Sequence, residues 1–325
     1  MTSTLPSSIP LTHHAITITA PHHPLQLTSR PTLPPNPDEA LVHVTWTSST
    51  PLDLHRVNGL ALGSNKPFIM GSTIGGTVVA LGSGPSHLRV GDSVFGFVQD
   101  GNPREAGFQT YATVPTYRLS KLPSNMTLRE VVTVPTNLVT ALHTLTADFG
   151  LELPWPVPEA GRWEAKESEA PILVWGAASS VGMYVLQVLR HWGYGNVLAV
   201  ASGKHHEGLK ALGARECFDY RRGDVVEEIL GYGESVSKTR GAEPRVPFIL
   251  DCIGSLDGSL RPLARIAESG SKVAVMLPVI NAHAGENKAA EYEMDITKVL
   301  PREWKDGVEV IGTRTFLYAR VSLRM

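Results

Sequence analysis

The sequence predicts an α/β protein in two parts: a β-rich N-terminal half over residues 1–135 and a doubly wound parallel sheet over residues 136–325. Three observations carry that expectation. Short β-branched segments separated by Gly and Pro fill the first part. From Pro171 onward, continuous apolar strands alternate with helical stretches, the pattern of a parallel sheet covered on both faces. The first of those strands runs straight into a chain of small residues, Gly176-Ala177-Ala178-Ser179-Ser180-Val181-Gly182, that opens a helix. At 325 residues the chain is long enough for two separate cores.

In the first part, Ala40 to Trp46 alternates as a half-buried strand should, and Gly76 to Gly82, Asp92 to Val98 and Gln109 to Pro115 follow with turn residues between them. Short strands joined by Gly-rich turns predict a small irregular barrel or sandwich. From Leu128 to Phe149 the rhythm is helical, with Val131, Val134, Leu138, Leu142 and Leu145 near one face, and Pro135 divides it into two helices. Residues 151–170 are proline-rich and then charged, which predicts an inserted surface loop. Beyond it come six strands, Pro171 to Trp175, Val197 to Ala201, Glu216 to Tyr220, Pro247 to Ile253, Ser271 to Leu277 and Val308 to Thr313. Helices are expected over Val181 to Trp192 and Glu207 to Leu212, and the polar, Gly-rich stretch from Gly231 to Arg245 reads as an exposed loop.

Composition narrows the function classes. A formal charge of −2 supplies no basic excess for a phosphate backbone, so a nucleic-acid partner is not expected. No stretch approaches the roughly 18 apolar residues of a membrane span, and the opening lacks the charged and apolar regions of a signal peptide. The two cysteines, Cys217 and Cys252, form neither a disulfide framework nor a four-thiolate zinc site, which points to a reducing, cytoplasmic compartment. The pairs His13-His14, His22-His23 and His205-His206 lie in polar segments and are expected to be solvated.

The turn after the first parallel strand is where a Rossmann unit holds pyrophosphate, with backbone N–H groups and the positive end of a helix dipole. Counted back from Gly182, the G-x-G-x-x-G positions fall on Ala177, Ser179 and Gly182. A serine in the middle position can donate its hydroxyl to a phosphate oxygen; a turn of small residues also serves tight packing alone. An NAD site asks for an acid about 20 residues further on, to accept from the ribose hydroxyls. Here the second strand ends in Ala201-Ser202-Gly203-Lys204-His205-His206, and the first acid, Glu207, already belongs to the next helix. Ser202 and Lys204, with His205 beside them, suit a 2′-phosphate instead, so NADPH is the expected cofactor. Tyr220 packs on the adenine ribose or touches that phosphate, or is an ordinary tyrosine at the core edge.

These features, with Pro51 to Gly59, Gly71 to Gly84, Arg89 to Phe97, Thr136 to Leu145, Lys210 to Ala214 and Asp251 to Ser255, resemble the medium-chain dehydrogenase/reductase superfamily along nearly the whole chain. The likeness is greatest to its zinc-free quinone reductases and to the stand-alone, trans-acting enoyl reductases that assist polyketide synthases. It implies a GroES-like β-barrel catalytic domain followed by the Rossmann domain. It also implies cofactor contacts from Asp53, Thr136, Thr140, Ala177, Ala178, Ser179, Ser180 and Val181. Further contacts are implied for Cys252 and Ile253 at one turn and Met276 and Leu277 at another, with Thr140 near the nicotinamide.

The family's zinc enzymes carry a Cys within the stretch matching Ser48 to Asp53 and a His within Gly71-Ser72-Thr73, and this chain has neither, so no metal is expected. The resemblance then implies hydride delivery to an electron-poor C=C or to a quinone, with the enolate taking a proton from a side chain or water. Where the family's N-P-x-D-x-K has lysine, this chain has His55, either a proton donor or a structural histidine. Small or carrier-bound enones, and through them a polyketide synthase of secondary metabolism, are the implied partners, with the protein a monomer or homodimer. The ending from Val308 to Met325 stops about a helix and two strands short of the family pattern, which implies a truncated product or a replaced ending. That ending and the absent lysine leave a non-catalytic NADPH-binding protein as the alternative.

Overall fold

The computed structural model describes residues 6–60, 62, 67–159, 162–240, 244–285 and 288–315. The chain divides into two compact units, Met1–Thr136 and Asn137–Met325.

In the first unit the strands are β1 (Thr12–Ile18), β2 (Gln26–Pro31), β3 (Glu39–Trp46), β4 (Phe68–Ile69), β5 (Thr73–Leu81), β6 (Ser93–Phe97), β7 (Tyr111–Pro115) and β8 (Leu119–Lys121). Helices α1 (Pro51–Val57) and α2 (Leu128–Val131) interrupt or follow them. Two antiparallel sheets result, in the orders β2-β1-β4 and β7-β3-β5-β6-β8. The alternation of β3 places Ala40 and Val42 in a core with Ile74, Val78, Val94, Val114 and Leu119. Gly76 is where β5 presses on β3, since a Cβ there would lie 2.1 Å from the His43 carbonyl oxygen.

β1 was not legible in the sequence, because its inward positions include polar side chains. His13 and Thr17 point inward beside Ala15 and Ile18. His13 is therefore buried, not solvated: its Nδ1 is 2.9 Å from Thr32 Oγ1 and its Nε2 is 3.1 Å from Gln109 Oε1. His14, His22 and His23 are exposed, as expected of polar segments.

The second unit contains β9 (Ile172–Trp175), β10 (Val197–Val200), β11 (Glu216–Phe218), β12 (Phe248–Asp251), β13 (Lys272–Met276), β14 (Val279–Ala282), β15 (Glu291–Glu293) and β16 (Glu309–Thr313). Its helices are α3 (Pro135–His143), whose first residues close the preceding unit, α4 (Ser180–His191), α5 (His206–Leu212), α6 (Val225–Arg240) and α7 (Arg261–Ile266). Six strands pair in parallel in the order β11-β10-β9-β12-β13-β16, and β14 pairs antiparallel with β15. Every residue of β9, β10 and β12 is buried, which is why β9 and β10 are unbroken apolar runs and β12 is apolar up to Asp251 at its end. Ile172 and Val174 face the α4–α5 layer with Val185, Leu186 and Leu189. Leu173 and Trp175 face the other way, toward Val225, Ile229, Leu263 and Ile266.

Two loop expectations are corrected. Most of the stretch from Gly231 to Arg245 continues α6, because Val225, Val226 and Ile229 anchor one face of that helix in the core. Gly233 is useful there: a Cβ would come within 3.0 Å of the Arg245 carbonyl oxygen. Residues 151–170 carry no helix or strand among the described residues, but they are more than a surface loop. Leu151, Ala165 and Ala170 are core residues, and the Pro154 and Glu152 carbonyls accept from Trp192 Nε1 and Tyr194 OH, both at 3.0 Å. Of the stretch from Val308 to Met325, Glu309–Thr313 form β16 and residues 316–325 lie outside the described residues.

Burial lowers the pKa of His13 from 6.5, so protonation favours the unfolded chain. The first unit is expected to lose stability as pH falls below about 6.5. Thermal melts between pH 7.5 and 5 should show a decline that His13→Gln flattens.

Candidate functional site

Register brings the polar loops together in the second unit. Trp175 is level with Val200 and Asp251, Val200 with Phe218, Asp251 with Val275, and Val275 with Gly312. The residues that follow these strand ends, Ala177 to Val181, Ser202 to His205, Tyr220, Cys252 with Ile253, and Leu277, therefore emerge along one edge of the sheet, with Met276 at the last position of β13. Sequence order reverses between β9 and β12, the place where open α/β sheets leave a crevice for ligands.

The turn at that crevice is built for close approach. Gly176 takes a positive φ of 79°, and a Cβ on it would strike Ile253 Cδ1 at 2.6 Å. The Gly176 and Ala177 amides donate to Val200 O at 3.0 and 3.1 Å, which ties the turn to the second strand. Gly182 lets α4 rest on the turn, since a Cβ there would lie 2.7 Å from both Ala177 Cα and Ala177 O. Ser179 caps α4 by accepting from Gly182 N at 3.1 Å, and its hydroxyl also hydrogen-bonds with the Cys252 thiol. The amides of Ser180 and Val181, first in the helix, have no intrahelical acceptor. Small residues, open amides and a helix N-terminus fit a pyrophosphate. Gly176, one residue before the G-x-G-x-x-G positions, is the tight-turn glycine, signalled in the sequence by its place directly after Trp175 at the strand end.

The loop after β10 corrects the expectation that no acid approaches it. Asp219, just past β11, reaches across: its Oδ2 accepts from Gly203 N at 2.9 Å. Arg221 grips the same carboxylate, Nε to Oδ1 at 2.9 Å and Nη2 to Oδ2 at 2.5 Å, and its amide donates to Oδ1 at 3.0 Å. The Arg221 guanidinium and these N–H groups hold the Asp219 carboxyl far below the usual range. Ser202 is half-buried, while Lys204, His205 and Tyr220 are exposed. His206 is half-buried rather than solvated, with Nε2 3.0 Å from Ala201 O.

After β12 the chain turns around a carboxylate. Asp251 is fully buried and accepts from Ile253 N at 2.9 Å, Gly254 N at 3.1 Å and Ser259 Oγ at 2.8 Å. Burial raises its pKa to about 6, against the pull of those hydrogen bonds. Gly254 turns with φ of 64°, and its carbonyl accepts from Ile280 N at 2.7 Å, joining this turn to the one after β13. Ile253 is exposed and Cys252 half-buried. Burial pushes the Cys252 thiol, which hydrogen-bonds with Ser179, up to about 12. Asp251 escaped the sequence reading because a lone acid ending an apolar strand carries no pattern beyond the motif around it.

The remaining candidates occupy α1, α3 and the first unit. Asp53 is buried at the start of α1, where its Oδ2 accepts from Thr50 N at 2.7 Å; desolvation raises its pKa. His55 is half-buried on the same helix. Where zinc enzymes of the resembling family carry ligands, hydroxyls meet: Ser48 Oγ and Thr73 Oγ1 are 2.7 Å apart, and Ser72 Oγ and Thr136 Oγ1 are 3.3 Å apart. Among the described residues, no group of three or more His, Cys, Asp or Glu is arranged to hold a metal ion. Thr140, on α3, is buried with Oγ1 3.0 Å from Thr315 Oγ1. No helix among the described residues is long and apolar enough to cross a membrane.

Residues 36–142 match the family model of the alcohol dehydrogenase GroES-like domain. The chain is 34% identical over 257 residues to the trans-enoyl reductase tndF of Aspergillus flavipes, covering 77% of this chain and 69% of that one. It is also 34% identical over 227 residues to the trans-enoyl reductase tazE of Aspergillus terreus, covering 67% of this chain and 72% of the relative. The CurK enoyl reductase superposes with a TM-score of 0.70 at 16% identity, covering 97% of this chain and 84% of that structure. The quinone oxidoreductase of Coxiella burnetii gives 0.65 at 20% identity, covering 96% and 87%.

Replacing Asp251 with Asn puts an amide donor against at least one of three donors. The expected loss is about 1–3 kcal/mol at pH 7, measured by urea denaturation. The raised pKa means that the folded protein holds a proton between about 4 and 6 that the unfolded chain has released. The Asp251 contribution therefore declines as pH rises through that window, and Asp251→Asn should remove this decline.

Proposed function

Because the chain belongs to the medium-chain dehydrogenase/reductase superfamily, we propose that it is an NADPH-dependent reductase of activated C=C bonds, working without zinc on an α,β-unsaturated carbonyl or an enoyl thioester. Quinones are the related acceptors. Members of this superfamily typically use NAD(P)H. The observation that carries the proposal is the gathering of the Gly176–Gly182 turn, the Ser202–His205 loop and the Asp251 turn along one edge of the parallel sheet. The relatives named as trans-enoyl reductases support the choice of substrate class. By the same reasoning the acyl chain is presented on a polyketide synthase carrier, in a reducing cytoplasm that suits the free thiols of Cys217 and Cys252.

NADPH, when bound, supplies a hydride. The protein's work is to hold it and to manage charge and protons. The Ser180 and Val181 amides hold pyrophosphate, joined by the Ser179 hydroxyl, which exchanges the Cys252 thiol for a phosphate oxygen; Ala177 and Ala178 leave room for it. Ser202, Lys204 and His205 receive the 2′-phosphate, with Tyr220 beside the adenine ribose. Cys252, Ile253, Met276 and Leu277 line the ribose and ring, set in place by the Asp251 carboxylate and the Gly254–Ile280 hydrogen bond. Asp53, through the start of α1, positions His55 as the donor of the proton that quenches the enolate. Thr136 and Thr140 contribute hydroxyl donors toward cofactor and substrate oxygens.

Fluorescence titration of the full chain should give NADPH binding at least about tenfold tighter than NADH binding. Turnover is expected on enones or, with a synthase supplied, on enoyl thioesters. Tight NADPH binding with no turnover of any enone, quinone or enoyl thioester would establish a binding protein instead. His55→Phe should lower kcat roughly 10²-fold or more while leaving the NADPH Kd near its wild-type value; an unchanged kcat assigns the proton to water.

A further inference from the structure

We propose that Arg221 determines cofactor selectivity by disarming Asp219, a carboxylate placed to accept from a ribose 2′-hydroxyl. The inference rests on the NADPH reading above and adds a residue to it. In dinucleotide sites that take NAD, an acid at the end of the second strand accepts from the ribose hydroxyls and repels a 2′-phosphate. This chain has no such acid on its second strand, yet Asp219 arrives at that place from the third. Its carboxylate bonds the amide of Gly203, between Ser202 and Lys204.

Left alone, Asp219 would select against the cofactor that Lys204 attracts. Arg221 changes that in two ways. Its fork and its own amide, with Gly203 N, place four N–H groups on the two carboxylate oxygens, so the acid has little capacity left for a ribose hydroxyl. The guanidinium also cancels the charge. With Lys204 the loop carries a net positive charge; without Arg221, Lys204 and Asp219 would merely balance. The Arg221 side chain is 60% exposed while that of Asp219 is 17% exposed, so the remaining guanidinium N–H groups face outward and can meet a phosphate. The neighbouring charges are occupied elsewhere: Arg222 pairs with Asp224 and Glu228, and Lys210 with Glu216.

The arginine of this pair is largely exposed, so replacing it should leave the melting temperature close to wild type. The test is titration of the full chain with NADPH and NADH, reading the ratio of the two dissociation constants. Arg221→Ala is expected to cut the preference for NADPH by about tenfold or more, chiefly by weakening NADPH. Arg221→Lys, which keeps the charge without the fork, should fall between it and wild type. Asp219→Asn should keep or raise the preference, and adding it to Arg221→Ala should restore part of what was lost. An Arg221→Ala ratio within about twofold of wild type overturns the proposal. So does a collapse of the ratio in Asp219→Asn as large as that in Arg221→Ala, since the pair would then only staple the loop. A wild-type chain that binds both cofactors equally overturns the NADPH reading itself, and this one with it.

Discussion

The candidate nucleotide site hangs on a contact with no side chain in it. α4 comes down on the backbone of Ala177 so closely that Gly182 has no room for a Cβ, and Gly176 bends beneath Ile253 in a conformation few other residues adopt. From that contact follow the direction of the helix, the outward aim of the Ser180 and Val181 amides and the capping role of Ser179. The turn is also bonded to the second strand through Val200, so the approach of helix to sheet sets the spacing of both loops at the crevice.

Around this fixed turn, carboxylates organise the backbone. Asp251 sits in the core with no cation among the described residues hydrogen-bonded to it, and three donors compensate its charge, two of them amides of the turn it shapes. Asp219 holds Gly203 in the same manner, but in reach of solvent and of a guanidinium. Burial pushes the first acid up and hydrogen bonding pulls the second down, from the same starting pKa. Asp53 repeats the device in the other unit, closing the first turn of α1 from within. In each case an acid acts on backbone amides, and the candidate binding groups are its neighbours in the chain.

The parallel strands are readable because burial on both faces leaves few polar positions along them, and the turn at Gly176 to Gly182 because close packing restricts it to small residues. The errors share a cause. α6 was hidden by Gly231 and Gly233, which propensity counts against a helix although Gly233 fits against Arg245. β1 was hidden by His13, whose polar ring is satisfied by Thr32 and Gln109, partners 19 and 96 residues away. His206, in an equally polar segment, is satisfied by the carbonyl of Ala201.

By itself the sequence determined the α/β class and the membership in the superfamily, because periodicity and small-residue turns are local properties. Only the tertiary structure decided which charges meet. The parallel register of β10 with β11 carries Asp219 to the end of the second strand, where the order of residues shows no acid. The bend at Gly254 wraps Asp251 in amides that, in sequence, merely follow it. Electrostatics depends on distance in space, and a parallel sheet makes neighbours of residues that the chain keeps far apart.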